Sequence, residues 1–190
     1  MKGICFKEPL FNAIIYGRKT MIRRIINGTL TIGNWEETIK HARYKTDEII
    51  YLKEPYLIPV NIFGQEFEDR GIEYVYGEGA LPESGFVRKN KLFMPEGFAR
   101  YFIQITDVKL ERLQEISHDD CIREGITEEW DFETPGYSNR LNYSKRKNGF
   151  LDIYHETPQK AFADLIDKIS GKGVFDKNPY CWVYTFKLIK

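Results

Sequence analysis

Just past Gly17 the chain places Arg18, Lys19, Arg23 and Arg24 within seven residues, with the hydroxyl of Thr20 among them. Cations packed this closely repel one another unless something negative approaches, and arginine forks suit phosphate, carboxylate or the polarised edge of a base. Lys19 beside Thr20 also allows a reaction. The ammonium could ease deprotonation of the hydroxyl or polarise a carbonyl, provided a base lies within reach. Glu124, at the end of a short helical signal, is a carboxylate suited to general acid–base work. Structural roles compete with these: the cations can answer the negative end of the preceding helix, and Lys19 can form an ion pair with Glu124. Glu54, ahead of Pro55, and Arg100, ahead of the longest strand signal, are further candidates for a ligand-binding rim. Their alternatives are a salt bridge from Glu54 to one of these arginines and a loop-capping role for Arg100.

Other residue types carry less chemistry. His41, His118 and His155 share no metal-ligand spacing, and Cys5, Cys121 and Cys181 form no C-x-x-C pair. No metal, cofactor or disulfide framework is expected, and Cys5 and Cys181 read as small buried hydrophobes. Arg140, Lys145, Arg146 and Lys147 are interleaved with Tyr137, Tyr143 and Phe150. That composition suits a segment that follows a phosphate backbone and stacks bases, or equally a solvated loop. Lysine plus arginine and aspartate plus glutamate both number 28, so whole-molecule steering toward nucleic acid is absent and any anionic partner must be held by a local patch. The N-terminus lacks the apolar run of a signal peptide and no stretch is long enough to span a membrane, so a reduced, cytoplasmic compartment is expected.

The elements that must position these residues follow from periodicity. Residues 4–6 read as a strand feeding a helix over 9–16, with Pro9 at a first-turn position and Gly17 as a left-handed stop. Residues 48–54 form a strong strand signal closed by Pro55, residues 72–76 a shorter one, and residues 78–91 read as loop. Over residues 101–113, Ile103 and Ile105 alternate, then Val108 and Leu110 continue with the phase shifted by one. A slip at Thr106-Asp107 is what a β-bulge produces. Ser117 to Asp120 resembles a capping box opening a helix that Gly125 ends. Residues 127–156 read as a long mobile insertion. Residues 158–169 carry an apolar helical face stopped by Gly171, and Trp182, Tyr184, Phe186 and Leu188 alternate along a closing strand. Short strands, one of them bulged, with irregularly spaced helices imply an α+β fold with a curved or barrel-like sheet.

Several segments stand in the order found in ASCH-domain proteins of the phage and prophage group, a branch of the PUA-like superfamily, which the chain resembles. They are Gly17-Arg18-Lys19-Thr20 with Arg23-Arg24, Tyr51-Leu52-Lys53-Glu54-Pro55-Tyr56, Met94-Pro95-Glu96-Gly97-Phe98-Ala99-Arg100 leading into Ile105-Thr106-Asp107-Val108, Leu113-Gln114-Glu115-Ile116-Ser117 with Glu124-Gly125-Ile126, and Asn178-Pro179-Tyr180-Cys181-Trp182-Val183. The resemblance implies one PUA-like domain over residues 1–190: a small curved β-barrel with two or three flanking helices and insertions at 27–47, 57–91 and 127–156. It also implies binding of RNA or a modified nucleobase, with Arg24 facing the cleft and Arg23 a solvated partner to an acid. Some members hydrolyse the amide of N4-acetylcytidine or cleave RNA. Their lysine falls on Lys19 and their glutamate on Glu124, but their nucleophilic threonine falls on Ile22, which cannot attack a carbonyl. Thr20 is the only hydroxyl close by. Binding without catalysis is therefore the first expectation, an amidohydrolase or ribonuclease the second, and a phage accessory protein that binds another protein the third.

Overall fold

The computed structural model describes residues 1–26, 35–67, 71–75, 85–130, 137–140 and 154–190. Strand β1 (Lys2–Cys5) runs into helix α1 (Glu8–Ile15), which begins with Pro9 in its first turn and buries Leu10, Ala13 and Ile14. Gly17 turns the chain at φ 73°, and the N–H groups of Arg18 and Lys19 both donate to the Ala13 carbonyl, at 2.8 and 3.0 Å. That turn delivers Lys19 inward and starts β2 (Met21–Ile25). After α2 (Trp35–Lys40) comes β3 (Ile49–Lys53). The long β7 (Phe102–Arg112) and the closing β11 (Tyr180–Leu188) complete a five-stranded sheet in the order β1-β3-β7-β11-β2. Only β1 and β3 pair in parallel; the other neighbours are antiparallel.

The expected bulge is present. Thr185 pairs with Asp107 and Phe186 with Ile105, so Thr106 is the extra residue, and Ile103, Ile105, Val108 and Leu110 are all buried across the slip. The sheet bends there, yet the described strands do not close into a barrel: β1 and β2 remain its two edges. The edges approach each other closely enough for the Arg24 guanidinium on β2 to donate to the Cys5 carbonyl on β1, at 3.2 Å. On β11 the expected one-sided alternation gives way to burial on both faces over residues 181–184, because the strand lies centrally between β7 and β2; Leu188, past that shelter, is exposed.

The strand expected over residues 72–76 is present as a short one, and strands also occur in residues 78–91 and 127–156, which read as loop and insertion. β4 (Tyr56–Pro59) pairs with β5 (Glu73–Tyr74) and β6 (Phe86–Lys89) in a small sheet over Tyr56, Ile58 and Met94. Strands β8 (Thr127–Trp130), β9 (Tyr137–Arg140) and β10 (Tyr154–His155) form another. Apart from β5, these strands were hidden because what stabilises them is pairing with other segments rather than a local alternation. Two helices complete the described structure. In α3 (His118–Arg123) the Ser117 hydroxyl accepts from the Asp120 N–H at 3.1 Å; α4 (Pro158–Ser170) is capped by Thr157 and packs against α3. No helix among the described residues is long and apolar enough to cross a membrane.

The turn after α4 is fastened by Asp167, whose carboxylate accepts from the N–H groups of Phe175, at 3.0 Å, and Gly173, at 2.7 Å. These bonds hold its pKa below the ordinary 3.8, so its stabilisation is complete above that value and is lost as pH falls through the lower folded one. Asp167→Asn should therefore lower the melting temperature at pH 7 while narrowing its gap to wild type on acidification below pH 3.8, as followed by circular dichroism.

Candidate functional site

Lys19 and Glu124 meet in the interior. The Lys19 ammonium donates to Glu124 Oε2 at 2.6 Å and to the Glu124 carbonyl at 2.7 Å, with side-chain exposures of only 1% and 5%. The Thr20 N–H donates to the Arg123 carbonyl at 2.9 Å. The segment after Gly17 thus satisfies carbonyls that α3 leaves open at its C-terminal end. Gly125, at φ 99°, lets the chain leave α3 directly above this contact: a Cβ there would sit 3.5 Å from Lys19 Cβ and 3.6 Å from Ala13 Cβ.

Arg23 is not solvated. Its guanidinium is buried and donates to Asp120 Oδ2 at 2.8 Å, Glu111 Oε2 at 3.0 Å and Glu124 Oε1 at 3.4 Å. The strand turns Arg23 inward and Arg24 outward, and the inward charge is stable only among carboxylates. The Asp120 side chain, which a capping box would turn back toward Ser117, reaches Arg23 instead. With Arg123 3.6 Å from Asp120, the three cations Lys19, Arg23 and Arg123 are balanced by the three carboxylates of Glu111, Asp120 and Glu124. Burial pushes the Lys19 pKa below the ordinary 10.5, the attraction of Glu124 offsetting only part of the desolvation.

A cavity of about 420 Å³ opens onto this network, with Lys19, Glu124, Arg23 and Arg24 on one side and Leu165 and Ile166 of α4 on the other. Ile22 lines it, placing a hydrocarbon where a nucleophile would be needed; Thr20 does not line it, and its backbone is held by Arg123 and Phe186. Arg18 stays outside on the surface, 5.9 Å from the Tyr16 ring. Glu54 and Arg100 belong elsewhere. They form a two-pronged ion pair, Arg100 Nε donating to Glu54 Oε1 at 2.9 Å, with the guanidinium 3.7 Å from the Tyr74 ring, and both line a second cavity of about 610 Å³. Glu54 thus has the salt bridge to an arginine that was its structural alternative, and the arginine is Arg100. The side chain of Arg140 and the whole of Tyr143, Lys145, Arg146 and Lys147 lie outside the described residues.

Sequence spacing missed a different cation cluster. Arg24, Arg43, Lys53 and Lys91 all bear electrostatically on Cys5, and among the described residues none of the four has a carboxylate within ion-pair distance. They donate instead to carbonyls or lie over rings: Lys53 to Leu92 at 2.8 Å, Lys91 to Phe6 at 2.6 Å, and Arg43 5.4 Å from the Tyr44 ring. Four separate stretches supply them, so no local pattern marks the group; an isolated clue was Lys53 alternating with buried Leu52 in a strand. Burial raises the Cys5 thiol despite these charges, and pushes Cys121 and Cys181 up to about 12, so none is a ready thiolate. Among the described residues no group of three or more histidine, cysteine, aspartate or glutamate side chains is placed to hold a metal ion.

Compared with models of protein families, with curated proteins and with solved structures, the chain matches none. Breaking the buried pair tests its weight in the fold. Lys19→Met or Glu124→Gln alone should each cost on the order of 3 kcal/mol, because a buried polar partner is stranded, whereas the double variant should recover much of the loss. Urea unfolding of the four proteins measures this coupling; strictly additive losses would show that the two side chains do not depend on each other.

Proposed function

We propose that the protein binds RNA, or a modified nucleobase, in the cleft between β1 and β2, without catalysing a reaction there. The observation that carries this reading is the set of four cations with no carboxylate partner among the described residues, Arg24, Arg43, Lys53 and Lys91, around the gap between the sheet edges. Cations gathered this way repel one another, and their bonds to carbonyls and rings do not cancel that charge, so an anion bound there would relieve it. The adjoining cavity offers what a base needs: apolar walls from Ile22, Leu165 and Ile166, and at its floor an ammonium that uses two of its three protons on Glu124. The third can meet a carbonyl oxygen of a heterocycle. The resemblance to ASCH-domain proteins points in the same direction.

One observation favours a second reading, hydrolysis of an N4-acetylcytidine-type amide or of RNA through Lys19 and Glu124. Burial lowers the Lys19 pKa, which brings its neutral amine closer to use as a base. Ile22 argues against it, since water would have to replace the missing hydroxyl.

Fluorescence anisotropy with a short single-stranded RNA tests the first reading. Affinity should fall roughly tenfold or more between 50 and 200 mM salt, at about 0.7 logarithmic units per phosphate contacted, and Arg24→Glu should weaken binding while flattening that dependence. Binding indifferent to salt would remove the cation cluster as the contact. In parallel we expect no acetate from N4-acetylcytidine; release by wild type that vanishes in Lys19→Met would establish the enzymatic reading instead.

A further inference from the structure

We infer that the ligand is a single strand several nucleotides long, threaded through three contiguous hollows, rather than one nucleoside held beside Lys19; this rests on the reading that the cleft binds RNA. The hollows are connected by shared walls. The Lys19 cavity and a neighbouring hollow of about 530 Å³ share Cys5, Arg24 and Ile25. That second hollow, walled by Tyr44, Trp182 and Tyr184, meets the 610 Å³ cavity at Lys53. The 610 Å³ cavity returns to the first at Phe6, which borders both. Two cations with no carboxylate partner among the described residues stand at these junctions, Arg24 between the first two hollows and Lys53 between the second and third, and Lys91 lies on the wall of the third.

The third hollow has the chemistry of a nucleotide site. One wall is the outer side of α1, with Phe11, Ile15 and Tyr16; another carries Arg88, Lys89 and Lys91 from β6 and the turn after it. Lys89 is already paired with Glu66, so a ligand that is apolar where it meets Phe11 and Tyr16 would turn its anionic side to Lys53 and Lys91. The Glu54–Arg100 pair fixes the end of β3 there, because a buried carboxylate held by both prongs of a guanidinium has little freedom to move. Lys53 is positioned by a missing side chain. A Cβ on Gly3 would come within 2.5 Å of Lys53 Cε and of the Tyr51 ring, so only glycine lets these side chains lie across β1 toward the junction.

Hollows separated by cationic junctions suit bases spaced by phosphates. A duplex keeps its bases stacked and paired, so it cannot place them in separate recesses, whereas an unpaired strand can.

Fluorescein-labelled oligouridylates of one to eight nucleotides, and an RNA duplex of eight base pairs, provide the test on the full chain. Affinity should rise with length to on the order of four nucleotides and then level off, and the duplex should bind more weakly than the single strand of equal length. The salt dependence of the octamer should correspond to about three phosphates at roughly 0.7 logarithmic units each. Arg88→Glu, a change on an exposed strand, should make affinity level off at a shorter length. Lys91→Arg, which keeps the charge, should retain the wild-type length. A mononucleotide binding as tightly as the octamer, or an Arg88→Glu length curve identical to wild type, would overturn the threaded path while leaving a one-base site intact. Failure of every oligonucleotide and of the mononucleotide to bind would remove both the path and the reading beneath it.

Discussion

A charge taken out of water must find an opposite charge, and much of this architecture follows from that requirement at Lys19 and Arg23. Both side chains point into the protein from consecutive parts of one short segment, and both end on groups of α3. Lys19 holds the carboxylate and the carbonyl of Glu124, while Arg23 gathers Asp120, Glu111 and Glu124. The contacts fix where α3 ends relative to the edge strand β2, and so fix one side of the cavity against which α4 packs. An apolar core could have supplied stability alone. The ionic version also leaves polar atoms at the floor of an opening, which hydrocarbon could not do.

Around the site the described cations fall into two populations. Those directed inward are neutralised and hold elements together. Those left outward, Arg24 above all, keep their charge available at the rim. Adjacent residues on a strand point to opposite sides, so Arg23 and Arg24 fall into different populations although they are neighbours. Rim cations also have structural duties, each reaching a carbonyl or a ring, and Arg24 does so across the gap between β2 and β1. Such bonds to neutral acceptors orient a charge without cancelling it. This is the condition an anion site needs: side chains already held in place, with their field undiminished.

The edges of the sheet explain why an opening exists here. A bulge at Thr106 bends β7, and the five strands curl until β1 and β2 face each other without pairing. Arg24 reaches Cys5 across the interval, and hollows flank that contact. Had the edges joined by backbone hydrogen bonds, the hollows would be separated and the rim cations carried apart. The small sheet of β4, β5 and β6 then adds a further wall opposite α1.

Local pattern alone determined the helix after Pro9 and its stop at Gly17, the strand before Pro55, the bulged strand with its slip at Thr106, the helix opened by Ser117 and the helix stopped by Gly171. Each depends on neighbours within a few residues: a fixed φ, a glycine able to turn left-handed, a hydroxyl in reach of a free N–H, an alternation broken by one. The cation cluster after Gly17 marked Lys19 and the family resemblance marked Glu124, although their meeting spans 105 positions of the chain. Only tertiary structure decided that Arg23 is buried among three carboxylates, that Glu54 belongs to Arg100, and that Arg43, Lys53 and Lys91 join Arg24. Pairing and burial depend on what distant segments bring to the same point, and charge carries no record of its partner. An arginine destined for the core and one left at the rim are identical letters until the fold gives one of them a carboxylate and withholds it from the other.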